Sequence, residues 1–311
     1  MIRVYEKNEL DRIPAGQLLT PAILAADAPS ACIVEEREKA ASACCSVWWE
    51  GTPRDAAGNM GAIGHFHAQD ARSARSVLEA ALDLIKKRGC FSVLAPMNGN
   101  TWRSYRYITS GQDRPPFLME PPPALGRDRY LESAGFTPRS HYVSYTQPLT
   151  GKPAPALPSG FSIRILRMEY LEREMGDIYA LSLRSFQDNP YYTDIPKGAF
   201  LQQYLAYRGQ LRPELILIAY HGDEPAGFIF CIPDYLEGAA PRTVLLKTMA
   251  VLPEHRGCGL GGALIGLARQ KAYNMGFKDA IGALIYKGNH SEKLCRAGNI
   301  FREYTLYGRT L

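Results

Sequence analysis

The chain has 311 residues, of which 46% are hydrophobic and 22% charged, with a net charge of +5 at pH 7. That balance is expected of a packed soluble protein built as one large or two ordinary domains. No run reaches the length of a membrane span, the charged N-terminus Met1–Lys7 lacks the apolar core of a signal peptide, and no Lys/Arg block marks a nucleic-acid face.

In chain order, Ala41–Glu50 and Met60–Phe66 read as strands. The seven cysteines are scattered without metal-ligand spacing, and Cys44-Cys45 falls inside the first of these strands, as core thiols would. Reduced thiols and a cytoplasmic setting are expected, with no metal. His65 and His67 alternate around Phe66 on one strand face, but two histidines lack the third ligand of a metal site. Ala71–Lys87 is an amphipathic helix, with Val77, Leu78, Ala81, Leu82, Leu84 and Ile85 on one stripe. Gly89 ends it, and Phe91–Pro96 is a short apolar strand. An insertion follows, roughly residues 98–129. Asn98, Asn100, Trp102, Tyr105 and Glu120 in it have the chemistry to line a polar acceptor pocket, although Asn and Gly also build ordinary turns and Trp102 also suits an anchor.

Residues 150–160 are rich in Pro and Gly and read as a semi-rigid linker. They divide the chain into 1–149 and 161–311. In the second half Phe161–Leu166 is a strand, Tyr170–Phe186 and Lys197–Tyr207 are helices, and Leu215–Tyr220 with Ala226–Ile232 form a hairpin around His221-Gly222-Asp223-Glu224. A β-rich run, Thr243–Leu252, then leads into Pro253-Glu254-His255-Arg256-Gly257-Cys258-Gly259-Leu260-Gly261-Gly262, and an amphipathic helix over Leu260–Asn274 leads out. Strand, glycine loop and helix bind phosphate: glycines let backbone N–H groups approach an anion, and the helix N-terminus adds partial positive charge. A Walker A loop is excluded, because the loop ends Gly261-Gly262-Ala263 and not Gly-Lys-Ser/Thr. A dinucleotide fingerprint matches the glycine spacing, but its acidic partner Asp279 precedes the next strand, Ala280–Tyr286, and does not end it.

The remaining pattern, Arg256-x-x-Gly259-x-Gly261 after a hydrophobic strand, resembles motif A of the GNAT (GCN5-related N-acetyltransferase) superfamily, over about residues 160–311. Tyr130–Phe136 resembles the helix-to-strand turn that closes many such domains, so the first half reads as a degenerate copy. The resemblance implies an α/β (α+β) fold of two GNAT-like domains, each a mixed, mostly antiparallel twisted sheet flanked by helices. It implies acetyl-CoA or another acyl-CoA as co-substrate. Backbone groups of Met249, Ala250 and Val251 would pair with the pantetheine arm. Arg256, Gly257, Cys258, Gly259, Leu260, Gly261 and Gly262 would take the pyrophosphate, and Asn289 would contact the arm while capping a short helix with Glu292. Aligned by helix ends, Gly89 on Gly276, the repeat sets Arg72 against Gly259, so the first half is expected to have lost its CoA site.

Family enzymes place a tyrosine on the helix after the asparagine as general acid, but residues 290–297 contain none. Tyr304 or Tyr307 on the closing strand Phe301–Tyr307, Ser291, Cys295 and His290 remain, and Tyr304 is the candidate preferred here. Glu120, Asp234 and Glu303 are candidate bases, and Lys247 stands out in an apolar strand. The functional expectation is an acyl-CoA-dependent N-acyltransferase acting on a small-molecule amine, as a monomer or homodimer, without membrane or nucleic-acid partner. A non-catalytic acyl-CoA sensor and an acyltransferase fed by a carrier-protein thioester are the alternatives.

Overall fold

Apolar alternation along the strands and the 3.6-residue stripes on the helices assemble into one long sheet with helices on its faces. The computed structural model describes residues 1–13, 19–37 and 40–311. The N-terminal half contains β1 (Ile2–Glu6), β2 (Ala31–Arg37), β3 (Ala40–Trp48), the two-residue β4 (Arg54–Asp55), β5 (Gly58–Ala68), β6 (Ser92–Ala95), β7 (Tyr107–Ser110) and β8 (Thr137–Pro148). Its helices are α1 (Pro21–Asp27), α2 (Ala71–Lys87) and α3 (Arg127–Ser133). The C-terminal half adds β9 (Phe161–Ile165), β10 (Ile216–His221), β11 (Glu224–Pro233), β12 (Thr243–Val251), β13 (Asp279–Tyr286) and β14 (Asn299–Thr310), with helices α4 (Leu171–Phe186), α5 (Lys197–Leu205), α6 (Leu260–Asn274) and α7 (His290–Cys295). No helix among the described residues is long and apolar enough to cross a membrane.

The strand order is β1-β2-β3-β5-β6-β14-β8-β13-β12-β11-β10-β9. Pairing is antiparallel except for β5 with β6 and β12 with β13, the two places where a helix crosses over between parallel neighbours. The closing strands are exchanged. β8 ends the N-terminal half yet pairs with β13, and β14 ends the C-terminal half yet pairs with β6. β8 and β14 also pair with each other from Asn299↔Thr146 to Gly308↔Thr137, so the sheet runs unbroken through both halves. Hydrophobic periodicity locates a strand but says nothing of its partner, and this exchange had no signal in the sequence.

The core is layered accordingly. α2 buries Val77, Leu78, Ala81 and Ile85 against β2, β3 and β5. α4 and α5 cover one face of the C-terminal sheet, and α6 covers the other through Leu260, Leu264 and Ala268. A central cluster joins the halves, with Trp48 and Leu94 from one and Tyr304 and Leu306 from the other. Cys44 and Cys45 lie in the core, and burial pushes the Cys44 thiol up to about 12. The 150–160 segment has no regular structure and runs along α6. A Cβ on Gly266 would lie 2.3 Å from Pro155 Cδ, so the helix needs glycine there to accept the proline ring.

Candidate functional site

β12 and β13 pair only from Thr243↔Asp279 to Leu246↔Gly282 and then part. Both strands carry the cause. The register of β12 with β11 sets Phe230 against Thr248 and Cys231 against Leu246, which leaves Lys247 as the extra residue of a bulge. On β13, Leu284 takes a φ of +57°, and its N–H leaves the ladder to donate to Ser144 Oγ at 3.0 Å. Beyond Leu246, residues Lys247–Val251 have no strand partner on the β13 side among the described residues. The gap opens into a cleft of about 790 Å³. Its walls are β12 at Lys247–Met249, β13 at Gly282–Tyr286, the α4–α5 region at Ser182, Tyr192 and Tyr204, and the insertion of the N-terminal half at Trp102, Tyr105, Arg106 and Glu120. Asn289, Ser291 and Cys295 close one end.

At the end of β12, Pro253–His255 make a single 3-10 turn and the chain enters α6 through Gly257 (φ +82°) and Gly259 (φ +95°). Both angles lie in the region that glycine alone adopts cheaply. No side chain caps α6, and its first turn has no acidic residue. A Cβ on Gly257 or Gly262 would meet nothing within 4 Å, and one on Gly259 only Pro158 Cγ at 4.0 Å. The first-turn N–H groups thus face open space beside a helix N-terminus, which fits the pyrophosphate of a CoA. Leu260 and Gly261 face inward instead: Leu260 is buried, and a Gly261 Cβ would touch Leu294 and Met249. Arg256 braces the loop, donating from Nε to the Val251 carbonyl at 3.1 Å and from Nη2 to the Ser185 carbonyl near the end of α4 at 2.9 Å. Cys258 is exposed, with its thiol on the His255 carbonyl.

Asn289 caps α7 by accepting from the Glu292 N–H at 3.0 Å. The expected reciprocal bond is displaced by one residue: Glu292 accepts from the Gly288 N–H, and that bond holds its carboxyl below the usual range. Among the acceptor candidates, Trp102, Tyr105 and Glu120 line the cleft. Trp102 does so while donating to the Thr193 carbonyl at 2.7 Å and packing edge-on against Phe200, so it both anchors the insertion and walls the cleft. Asn98 and Asn100 do not reach the cleft. The Asn98 amide donates to Asp27 of α1 at 2.8 Å, and Asn100 spans the Gly51 carbonyl and the Trp102 N–H.

Tyr304 lies behind the cleft wall. It is fully buried, with its hydroxyl donating to Glu120 and 2.9 Å from Ser144 Oγ, and burial pushes its pKa well up. Glu120 is itself engaged by Arg302 at 3.0 Å, and burial raises its carboxyl. Asp234 caps a 3-10 turn and accepts from the Leu118 N–H, and Glu303 is a surface charge beside Lys287. Lys247 is half-buried and faces the cleft, 3.4 Å from the Tyr204 hydroxyl, so it is not on the solvent side of the sheet. Sequence reasoning passed over Tyr204 and Tyr286. Tyr286 is the last residue of β13 and its carbonyl accepts from the Asn289 N–H, which places its ring on the cleft at the asparagine.

The N-terminal half repeats the geometry and blocks it. β5 and β6 pair over Met60–Ala62 and Ser92–Leu94 and then part, with His65 (φ +47°) at the bulge. Here the chain's own loop fills the gap: the Met97 N–H donates to the Ile63 carbonyl at 2.8 Å, and a Cβ on Gly64 would strike Asn98 Oδ1 at 2.2 Å. Asp70 caps α2, its carboxylate accepting from the Ser73 N–H at 2.7 Å and pairing with Arg37 at 3.0 Å. An internal anion thus sits at the helix N-terminus. The alignment by helix ends needs correcting at this end. α2 has 17 residues and α6 has 15, so the residue in the position of Gly259 is Asp70, and Arg72 is exposed on the first turn.

Residues 176–296 match the model of the Acetyltransferase (GNAT) family. That match lies within the C-terminal half and spans less than half of the chain, and the N-terminal half is GNAT-like in structure. Over nine-tenths of the chain or more, the fold is similar to solved structures that include the following. The tandem GNAT protein from the clavulanic acid biosynthesis pathway matches at 13% identity and a TM-score of 0.52, covering 100% of this chain and 98% of that one. A GCN5-related N-acetyltransferase from Sphaerobacter thermophilus matches at 14% identity and 0.53, covering 90% and 80%. Eis1 from Mycobacterium abscessus matches at 12% identity and 0.51, covering 100% and 73%. No curated protein matches the sequence. Family and fold together support acyl-CoA-dependent N-acyl transfer as the general class of activity.

Proposed function

We propose that this chain is an acyl-CoA-dependent N-acyltransferase that transfers an acetyl group directly to the amine of a small-molecule acceptor. Residues 161–311 act as the catalytic domain, 150–160 as a linker, and 1–149 as a GNAT-like domain without a CoA loop that covers the acceptor side of the cleft. One observation carries this reading: the parted strands β12 and β13 open onto the cleft that the insertion of the other half walls, with an uncapped helix N-terminus at the strand end. Acetyl-CoA supplies the activated thioester. Gly257–Gly262 hold its pyrophosphate through backbone N–H groups, the free edge of β12 at Met249–Val251 and the Asn289 side of the cleft hold its arm, and Arg256 keeps the loop in shape.

In the reaction the acceptor nitrogen bonds to the acyl carbon, the carbon–sulfur bond breaks, and the amine proton is released as the thiol departs. Lys247, half-buried among aromatic rings at the apex of the gap, supplies positive charge where negative charge develops. Tyr286 is the phenol on the cleft beside Asn289 and stands as the candidate acid for the departing sulfur. Tyr304 is a positioning residue that holds Glu120.

The test is enzyme-dependent thiol release from acetyl-CoA over a panel of amines, followed by mass spectrometry of the acceptors. Acetylated amine together with stoichiometric thiol is the expected result. Acetyl-CoA binding with no thiol release for any amine would favour the non-catalytic sensor, to which the absence of a tyrosine on α7 lends support.

A further inference from the structure

Four charged side chains line the cleft: Arg103, Arg106, Glu120 and Lys247. Two of them are matched. Arg103 lies 3.7 Å from the Asp27 carboxylate, and Glu120 pairs with Arg302. Lys247 finds a hydroxyl and two ring faces but no carboxylate among the described residues.

Arg106 is the more extreme case. It is 5% exposed, and its guanidinium carbon lies 4.0 Å from the ring of Tyr105 and 4.0 Å from the ring of Tyr142. The rings cover the faces of the guanidinium and leave its hydrogen-bonding edge. No described residue accepts from Nε or Nη1, and none pairs with the charge. Stacking on rings does not satisfy N–H donors. The backbone is committed as well: Arg106 has a φ of +68°, a left-handed conformation unusual for a residue with a side chain, fixed by its N–H donating to the Pro96 carbonyl at 2.9 Å. A buried cation with unmade hydrogen bonds destabilises the fold, and an apolar side chain of the same length would pack there without that cost. Strained residues of this kind persist where a ligand uses them.

The one acid on the cleft, Glu120, is taken by Arg302. Arg106 also borders a second cavity of about 160 Å³ lined by His65, His67, Asn98 and Arg127, where the nearby Asp27 carboxylate is taken by His65 and Asn98. The planar guanidinium edge matches a carboxylate through two parallel hydrogen bonds. Arg106 belongs to the N-terminal insertion, and the glycine loop proposed for the phosphates is not among the residues lining this cleft.

We propose that Arg106 binds a carboxylate of the acceptor, so the cleft takes an amine that also carries an acid group and rejects polycationic amines. The inference rests on the N-acyltransferase reading. With it, Tyr105 and Tyr142 hold the guanidinium in plane, and Lys247 adds to the positive field of the cleft.

The test measures kcat/KM for the proteinogenic amino acids, their carboxamides and spermidine, with acetyl-CoA and with succinyl-CoA as donors. Binding of each acid and carboxamide is followed by ligand-observed NMR. The wild-type protein is expected to prefer an acid to its carboxamide by tenfold or more with acetyl-CoA. In Arg106→Met that preference falls below twofold, with Arg106→Lys between the two. Comparable use of carboxamides or spermidine by the wild type overturns the proposal, and so does retained acetyl-CoA binding with no acid bound. Succinyl-CoA used with carboxamides in preference to acetyl-CoA with acids assigns the carboxylate to the donor and also overturns it. Failure of the wild type to bind acetyl-CoA overturns the underlying N-acyltransferase reading instead. The wild-type comparison stands even where the variants do not fold.

Discussion

Gly259→Trp is expected to weaken acetyl-CoA binding by about 100-fold or more, roughly 3 kcal/mol, while leaving the fold intact. Two effects act together. Gly259 caps α6 at a φ of +95°, and a side-chain-bearing residue held in that region costs about 1–2 kcal/mol. The new side chain also projects into the space in front of the first-turn N–H groups, where only Pro158 Cγ comes as near as 4.0 Å. Isothermal titration gives the affinity and circular dichroism the fold. Gly261→Ala is the control, because its Cβ would make ordinary contacts at 3.5 Å with Leu294 and 3.6 Å with Met249. Binding undiminished in Gly259→Trp would place the phosphates elsewhere.

Arg302→Met is expected to destabilise the protein by about 3–5 kcal/mol at pH 7, because it leaves a buried carboxylate without its cation. The Arg302 and Glu120 side chains are 2% and 0% exposed and 3.0 Å apart. Arg302 also donates to the Arg114 and Pro115 carbonyls, and Glu120 accepts from the Phe117 N–H and the Tyr304 hydroxyl. The pair fastens the cleft-covering insertion to β14 of the other half. Burial already raises the Glu120 carboxyl, and without Arg302 to oppose it the folded-state value rises further above the unfolded one. A raised carboxyl contributes stability that is present below the unfolded value, about 4.3 for Glu, and lost as pH rises through the folded value. The deficit of Arg302→Met relative to wild type therefore shrinks as pH falls from 7 towards 5. Urea midpoints at the two pH values measure this. The double variant Glu120→Leu/Arg302→Met should recover much of the loss, since it removes both buried charges together.

Local features were legible in the sequence. The strand, glycine loop and helix of the proposed donor site are contiguous, and Leu260–Asn274 and Ala71–Lys87 begin and end where their stripes and glycines put them. The N-terminal strands Ile2–Glu6 and Ala31–Arg37 were passed over. The first is short and charged, and the second is only four apolar residues, Ala31–Val34, followed by Glu35-Glu36-Arg37, without alternation. Long-range pairing was not legible. Phe301–Tyr307 read as the closing strand of its own half, but β14 inserts between β6 and β8, and nothing in its composition names those neighbours.

The same limit applies to the site. Asn98 and Asn100 looked like pocket residues because amides suit both turns and ligands, and their contacts with Asp27 and Gly51, far away in the chain, had no signal in the sequence. Arg106, between two tyrosines, was legible only as one of the arginines of a polar insertion. Its burial depends on Tyr142, a residue of β8 far along the chain. Asp70 as the cap of α2 had a local signal, an Asp at the start of an apolar stripe, which alignment on the helix ends passed over.

The central claim is that one half of a doubled fold kept its donor site and the other closed it with its own chain. Titration of acetyl-CoA into the purified protein tests this most directly. The predicted result is one site per chain, abolished by Gly259→Trp and unaffected by Asp70→Ala. Two sites per chain, or a single site that survives Gly259→Trp and is lost on substitution at Asp70, would contradict it.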